Sequence, residues 1–158
     1  MSQLNYKQPV SVLVIIHDPD FNILLLERAD APNFWQSVTG SMEQNEPLLY
    51  TAQREVYEET GIDTQYYCPH NWHMSHDFEI YERWRHRYAP GTTYNTEHVF
   101  SLCIPHDTVI HIQPREHIQY IWLPIKEAAD KVFSPSNQEA ILLLPQKGIC
   151  NVHTTAAS

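Results

Sequence analysis

The feature that most constrains the fold is an almost wholly apolar segment near the N-terminus. Residues 9–16 read PVSVLVII and are rich in β-branched side chains. Such a run is typical of a central strand that is buried on both faces, so it predicts a sheet covered by helices on both sides. The run is too short to cross a membrane, and it lacks the basic start and the cleavage site of a signal peptide.

The size and charge of the chain limit the classes of function. A chain of 158 residues is long enough to bury the core of one domain. Its formal net charge of −9 argues against a general nucleic-acid surface, although metal ions could still bridge acidic residues to a small phosphorylated substrate. Cys68, Cys103 and Cys150 show no framework spacing, which favours a reducing cytoplasm. We expect one domain over residues 1–145 and a flexible C-terminal tail over residues 146–158.

Secondary-structure signals alternate along the rest of the chain. Strands are predicted at 23–28, 33–40, 97–104 and 117–123, and helices at 47–60, 125–132 and 134–144. The turn sequence DPDFN at 18–22 predicts a hairpin between the first two strands. Ser136 and Glu139 have the spacing of a capping box at the start of the last helix. This order of elements predicts an α+β fold with a mixed β-sheet.

The helix predicted at 47–60 is unusually acidic. Glu55, Glu58 and Glu59 fall on one face of it, where each like-charged pair costs about a few tenths of a kcal/mol. The helix is predicted to end at Gly61 in the left-handed cap position. The three acids lie at the edge of the predicted apolar stripe, which consists of Leu49, Ala52 and Val56 with Leu48 at one margin. This face is either merely solvated or a cation site, since Mg²⁺ prefers carboxylate oxygens.

The spacing of residues from the preceding loop through this helix resembles the signature of the Nudix hydrolases. Five residues separate Gly40 from Glu46, and seven separate Glu46 from Arg54. The groups Arg54-Glu55-Val56, Glu58-Glu59 and Gly61-Ile62 then follow with one residue between successive groups. The resemblance implies a Nudix α/β/α sandwich and Mg²⁺-dependent hydrolysis, with Mn²⁺ as a possible substitute, of a nucleoside diphosphate linked to another group. It further implies Glu55 and Glu59 as metal ligands and Glu58 as a further ligand or the general base. Arg54 matches the arginine that holds a glutamate of the signature in place.

Two positions depart from the family pattern. Thr39-Gly40-Ser41 stands where family members often have Pro-Gly-Gly, and Asn45 stands where they have glycine. The loop is therefore expected to be stiffer or differently shaped, but no ligand of the signature is lost.

Segments outside the signature resemble a bacterial branch of the family that acts on 7,8-dihydroneopterin triphosphate in folate synthesis. They are residues 6–14, 34–41, 78–80, 85–91, 95–97 and 116–123. This resemblance implies release of pyrophosphate from that triphosphate, which leaves the monophosphate. It implies Glu116 as a further metal ligand, and as substrate contacts Lys7, Arg28, Thr39, Phe78, Glu79, Ile80, Tyr81 and Ser134. Lys7 and Arg28 suit phosphates, and Phe78 or Tyr81 suits stacking on a flat pterin.

Other interpretations remain open at this stage. The chain could be a broader (d)NTP pyrophosphohydrolase, or a non-catalytic Nudix binding module, against which the complete set of acids argues. At strand spacing, Arg83, Arg85 and Arg87 would share one face, as a phosphate-attracting arm or as a solvated hairpin. A zinc site built from Cys68, His70, His73 and His76 lacks the usual ligand spacing. The expected partner is a small-molecule triphosphate rather than nucleic acid or membrane, and the oligomeric state is not predicted.

Overall fold

The computed structural model of the protein describes residues 6–150. Its strands are β1 (Val10–His17), β2 (Asn22–Arg28), β3 (Trp35–Gln36), β4 (Val38–Ser41), β5 (His70–Glu79), β6 (Tyr94–Cys103) and β7 (His117–Pro124). Its α-helices are α1 (Leu48–Thr60), α2 (Ile125–Lys131) and α3 (Pro135–Lys147), and a 3₁₀ helix spans Glu82–Arg87. The seven strands form one mixed sheet, which confirms the predicted α+β class.

Strand β1 is the centre of the sheet. It pairs in parallel with β6 and antiparallel with β2 and β4, while β5 lies beyond β6 and β7 pairs with β2. Val12 and Val14 pack on the face covered by α1, whereas Leu13 and Ile15 pack on the face covered by α2 and α3. Because both faces are covered, β1 carries apolar residues continuously instead of in alternation. The predicted hairpin of β1 and β2 is confirmed.

Helix α1 begins and ends where the sequence predicts, but its buried face is rotated. Gly61 caps it in the left-handed region at φ 75°, and its N–H donates to the carbonyl of Tyr57. The prediction that Leu49 belongs to the apolar stripe is wrong, because this side chain is 42% exposed. Glu55 and Glu59 are buried instead, because the helix packs against β4 on that side. Two of the three acids are therefore inside the protein.

The start of α3 also differs from the prediction. Ser134 is the N-cap, and its hydroxyl accepts a hydrogen bond from the N–H of Asn137 at 3.4 Å. The predicted capping box of Ser136 and Glu139 is wrong, because Ser136 already lies within the first turn and its hydroxyl donates to Glu97. Pro135 explains the shift, since proline is favoured at the first helical position.

The C-terminal part of the described chain is tied to the sheet. Helix α3 extends two residues past the predicted domain boundary at 145, and Cys150 forms a disulfide with Cys103 at the end of β6. The cysteine spacing did not predict this pair, and Cys68 is free and exposed. Most of the tail predicted over residues 146–158 lies outside the described residues. No helix within residues 6–150 is long and apolar enough to span a membrane.

Candidate active site

The centre of the site is the contact between α1 and β4. Gly40 on β4 lies directly against the Glu55 carboxyl group, and a Cβ added at Gly40 would lie 2.0 Å from its Cδ atom. Only glycine leaves room for this carboxylate beneath the sheet edge. Glu59, one turn later on α1, is 3% exposed, and its burial and the neighbouring charge of Glu55 raise its pKa. The two glutamates form a close, buried acid pair.

The electrostatics of this pair are unfavourable in the metal-free protein. Burial raises the pKa of Glu59 well above its usual value, and the negative charges of Glu55 and Glu116 raise it further. Burial also raises the pKa of Glu55, although hydrogen bonding to Glu59 and the charge of Arg54 oppose this. The Oε1 atom of Glu59 is buried without a hydrogen-bond partner. A pair of buried oxygen donors with an unused lone pair fits a hard divalent cation, which would replace the missing positive charge.

Arg54 fixes the loop, the sheet edge and the acid pair relative to one another. Its Nε and Nη2 atoms donate to Glu46 at 2.7 and 2.9 Å, and Nη1 donates to Glu55 Oε2 at 2.9 Å. Nη2 also donates to the carbonyl of Ser41 at 2.9 Å. The guanidinium lowers the pKa of Glu46 to about 2. Arg54 is thus occupied by protein groups, so it positions the site rather than binding a ligand.

The structure explains one departure from the family pattern. Asn45 lies in the left-handed backbone region at φ 64°. Asparagine adopts this conformation more readily than other residues with a side chain, so it can replace glycine here without changing the path of the loop.

Three basic side chains, those of Lys7, Arg28 and Arg87, lie within electrostatic range of the acid pair. The N–H of Lys7 donates to the carbonyl of Arg87 at 2.9 Å, which places the N-terminal segment beside residues 87–88. Although Lys7 is an exposed residue, crowding around its ammonium group lowers the pKa, and the charges of Arg87 and Arg28 lower it further. The charges of Glu55 and Glu59 raise it, so all five groups lie within electrostatic range of one another. The arrangement offers positive charge opposite the acids.

Arg28 is held in place by Asp30, Gln36 and Trp84. It donates to both carboxylate oxygens of Asp30, at 2.7 and 2.8 Å, and to the Gln36 side chain at 3.1 Å. Its guanidinium carbon lies 4.3 Å from the centre of the Trp84 ring, in cation–π geometry. A guanidinium fixed in this way can present its remaining N–H groups to a phosphate.

A cluster of four aromatic rings adjoins Arg28. It consists of Phe34, Tyr81, Trp84 and Phe133, and Tyr81 stacks on Trp84 with their ring centres 5.4 Å apart. Tyr81 also contacts Phe133, the residue before Ser134, at 5.8 Å between ring centres. The cluster therefore brings three predicted substrate contacts, Arg28, Tyr81 and Ser134, into one region. Sequence analysis did not predict that Phe34, Trp84 and Phe133 would meet, because they are far apart along the chain.

The remaining predicted substrate contacts have different surroundings. Phe78 is half-buried on β5, whereas Glu79 is exposed on the other face and pairs with Arg85 at 2.9 Å. Ile80 is 3% exposed, so its side chain belongs to the interior. The Thr39 hydroxyl already donates to the carbonyl of Val12 at 2.9 Å. Alternation along β5 places Phe78 and Glu79 on opposite faces, and Ile80 and Tyr81 lie beyond the end of the strand.

The two other predicted metal ligands lie on the solvent side of the acid pair. Glu58 and Glu116 are exposed and line one open cleft of about 550 Å³, together with Tyr57, Gly61, His111, Gln113 and Arg115. Glu58 is 3.3 Å from Arg54 Nη1. Residues 6–150 contain no ready-made group of three or more His, Cys, Asp or Glu side chains that could hold a metal. Glu58 and Glu116 therefore do not form one close cluster with the acid pair.

Two alternatives from the sequence are not supported. The prediction that Arg83, Arg85 and Arg87 share one strand face is wrong, because residues 82–87 form a 3₁₀ helix that sends them to separate partners. Arg83 lies over the rings of Phe34 and Trp84, Arg85 bonds to Ile80 and Glu79, and Arg87 bonds to Asp30. The proposed zinc ligands do not converge either, since His76 turns towards Glu139 at 3.7 Å and Cys68 is exposed.

Comparison with known proteins defines the class. The model of the NUDIX domain family matches residues 7–144. The chain therefore belongs to the NUDIX family, as the spacing of its acidic helix predicted.

Individual relatives narrow this class. A dihydroneopterin triphosphate diphosphatase from Escherichia coli K12 is 45% identical over 139 residues, which cover 86% of this chain and 91% of that protein. A protein of the same name from Haemophilus influenzae is 39% identical over 145 residues, covering 87% and 88% of the two chains. The solved structure of the E. coli dihydroneopterin triphosphate pyrophosphohydrolase superposes with a TM-score of 0.82 at 45% identity, covering 86% of this chain and 94% of that one. These similarities confirm the predicted branch of the family.

Proposed function

We propose that this protein is a Mg²⁺-dependent pyrophosphohydrolase that converts 7,8-dihydroneopterin triphosphate into the monophosphate and pyrophosphate, as a step of folate synthesis in the cytoplasm. The observation that carries the proposal is the buried acid pair of Glu55 and Glu59 opposite Lys7, Arg28 and Arg87. Acids that fit a divalent cation and bases that fit phosphates then lie within electrostatic range of one another. The names of the two relatives support the choice of substrate.

The residues divide the work as follows. Glu55 and Glu59 would hold the cation, with Glu58 and Glu116 reaching it from the solvent side. Bound Mg²⁺ would neutralise charge on the phosphate oxygens of the substrate. Lys7 and Arg28 bind and orient the triphosphate, and Arg54 keeps Glu55 in place through the contacts described above.

The proton of the attacking water needs an acceptor near the cation site. Glu58 is the exposed glutamate of the helix, with only a long contact to Arg54, so it is free to accept a proton and pass it to solvent. Two measurements, the pH dependence of kcat and its dependence on Mg²⁺ concentration, distinguish a general base from a further metal ligand. A general base leaves an acidic limb in kcat that disappears in Glu58→Gln, whereas a ligand changes the Mg²⁺ concentration at half-maximal rate.

The decisive experiment compares kcat/KM for 7,8-dihydroneopterin triphosphate with kcat/KM for dATP, dCTP, dGTP and dTTP in the presence of Mg²⁺. We expect the pterin substrate to be preferred, with pyrophosphate and the monophosphate as products. Preference for one or more dNTPs would instead make the protein a broader (d)NTP pyrophosphohydrolase. Absence of turnover with every substrate would indicate a binding module.

The metal site is tested separately through stability. Glu59→Gln should lower kcat by orders of magnitude, and it should also abolish the increase in Tm that Mg²⁺ produces in the wild type. The matched control is Glu127→Gln, an exposed acid in the first turn of α2, which should change neither quantity. An unchanged Mg²⁺ effect in Glu59→Gln would contradict the assignment of this glutamate.

A further inference from the structure

The segment Asn95-Thr96-Glu97 shares the resemblance noted in the sequence but has no part in the mechanism above. It lies at the start of β6, where Asn95 and Glu97 are on the same face because they are two residues apart. Both are almost fully buried, at 2% and 5% exposure. Polar side chains at such depth are rare without a partner or a purpose.

Cross-strand register shows that these residues belong to a polar row. Ser41 on β4, Ser11 on β1, Glu97 on β6 and His76 on β5 are directly opposite one another in successive strands. Asn95 lies one step along the same face and donates to the Ser11 hydroxyl at 2.7 Å. The row occupies the α3 face of the sheet, beyond the apolar core formed by residues such as Leu13. This row and Asn95 together form a polar surface, here called the polar floor, at the end of the sheet where Lys7 lies.

This floor carries two acceptor oxygens that the protein leaves free. Asn95 Oδ1 is buried and has no hydrogen-bond partner. Glu97 Oε1 accepts from Ser136 at 2.8 Å, while Oε2 has no partner among residues 6–150. Leaving a buried polar atom unpaired costs about 1–3 kcal/mol, so the unpaired Asn95 Oδ1, on the same strand face as the free Glu97 Oε2, indicates that something else supplies a donor.

The floor adjoins predicted substrate contacts on two sides. Phe78 is directly opposite Asn95 in the antiparallel pair of β5 and β6, so the two side chains share a face. The Ser136 hydroxyl that bonds Glu97 is 3.0 Å from the Ser134 hydroxyl. Phe78, Ser134 and Ser136 are only half-buried, so rotation of their side chains would open the floor to a flat ring.

We propose that Asn95 and Glu97 are specificity-determining residues, whose free oxygens accept hydrogen bonds from the ring N–H and the exocyclic amino group of a 2-amino-4-oxopyrimidine ring. A dihydropterin presents these two donors side by side on one edge, and Phe78 is placed to pack on its face. The inference rests on the proposed function for the location of the phosphates, and it names the part of the substrate that the phosphate-binding residues cannot distinguish.

The proposed hydrogen bonds predict that the protein distinguishes some nucleobases from others. Guanine carries the same pair of donors as a pterin, whereas adenine and cytosine each present an acceptor where one donor is needed. The floor should therefore favour dihydroneopterin triphosphate and dGTP over dATP and dCTP. Discrimination of this kind is strong, because a wrong ring leaves buried polar groups unpaired.

The test measures kcat/KM of the wild type, Glu97→Gln and Asn95→Leu with dihydroneopterin triphosphate, dGTP, dATP and dCTP. We expect both variants to lose at least tenfold with the first two substrates and less than threefold with the last two. The matched control is Asp77→Asn, because Asp77 lies on the opposite face of β5 and bonds Thr96 at 2.7 Å. A selectivity ratio that stays within threefold of the wild type in both variants would overturn the proposal.

A binding measurement keeps this outcome distinct from failure of the proposed function. Calorimetric titration with 7,8-dihydroneopterin, which has no phosphate, needs neither metal nor turnover. Binding to the wild type and to Asp77→Asn, with at least tenfold weaker binding to Glu97→Gln, supports the ring site even if no triphosphate is hydrolysed. Equal affinity for all three proteins would refute the ring site even if the enzyme proves to be a pyrophosphohydrolase.

Discussion

Replacing Glu97 with glutamine should change how the stability of the protein depends on pH. Burial raises the pKa of Glu97 to about 7, and the hydrogen bond from Ser136 offsets only part of this effect. In the unfolded chain the same carboxyl group ionises near 4.5. Between these values the folded protein holds a proton that the unfolded chain has lost, so this group makes the fold less stable as the pH rises.

The magnitude follows from the difference between the two pKa values. Each pKa unit corresponds to about 1.4 kcal/mol, so the full effect above pH 7 is roughly 3 kcal/mol. Glutamine has the same shape, can still accept the hydrogen bond from Ser136, and does not ionise. The free energy of unfolding of Glu97→Gln minus that of the wild type should therefore grow by up to about 3 kcal/mol between pH 4.5 and pH 8.

Urea unfolding of the metal-free proteins at half-unit pH intervals measures this difference. The buried glutamates of the acid pair titrate in both proteins and cancel in the subtraction. In thermal unfolding, the Tm of Glu97→Gln should exceed that of the wild type by roughly 6–12 °C at pH 8 for a chain of this size. A difference that is flat across the pH range would show that Glu97 is solvated in the folded protein, and it would remove the basis for the polar floor as well.

Three further variants test other contacts. Gly40→Ala should displace the Glu55 carboxyl group, so that the Mg²⁺-dependent rise in Tm is lost while circular dichroism stays native; a normal Mg²⁺ response would contradict the close contact. Arg54→Lys should lower kcat/KM at least tenfold, because an ammonium group cannot reproduce the bidentate contact to Glu46. Cys150→Ser should lower the free energy of unfolding by up to about 4 kcal/mol, from the loop that the disulfide closes; equal urea midpoints for variant and wild type under non-reducing conditions would refute a stabilising role.

Local rules were sufficient for much of the fold. The continuous apolar run predicted a strand covered on both faces, and the placement of Pro47 and Gly61 predicted the ends of α1 within one residue. The rotation of α1 could not be predicted, because it depends on Gly40, which is distant in sequence and has no side chain to oppose Glu55. Strand β5 was also missed, since its polar residues and its irregular register near His73 hide the alternation.

Sequence analysis predicted which acids form the candidate site, but not how deeply each of them is buried. Helical spacing placed the three glutamates on one face, yet it could not show that Glu55 and Glu59 would be buried while Glu58 stays exposed. The aromatic cluster joins residues 34, 81, 84 and 133, which only the tertiary fold brings together. The 3₁₀ helix at 82–87 overrode the strand interpretation of the arginines, because a third-residue repeat separates side chains that a strand would align.

The polar row across β4, β1, β6 and β5 also has a consequence for how the chain folds. β1 and β6 pair in parallel although 86 positions separate Ser11 from Glu97, so the strands must find one another from far apart in the unfolded chain. A pairing slipped by one residue would turn Glu97 towards α1 and bury its carboxyl group against apolar side chains of that face, such as Val12 and Val14. Misaligned sheets therefore carry a penalty that a wholly apolar pair of strands would lack. An apolar residue in place of Glu97 would remove this protection, and we expect such a chain to form misregistered, aggregation-prone species during refolding.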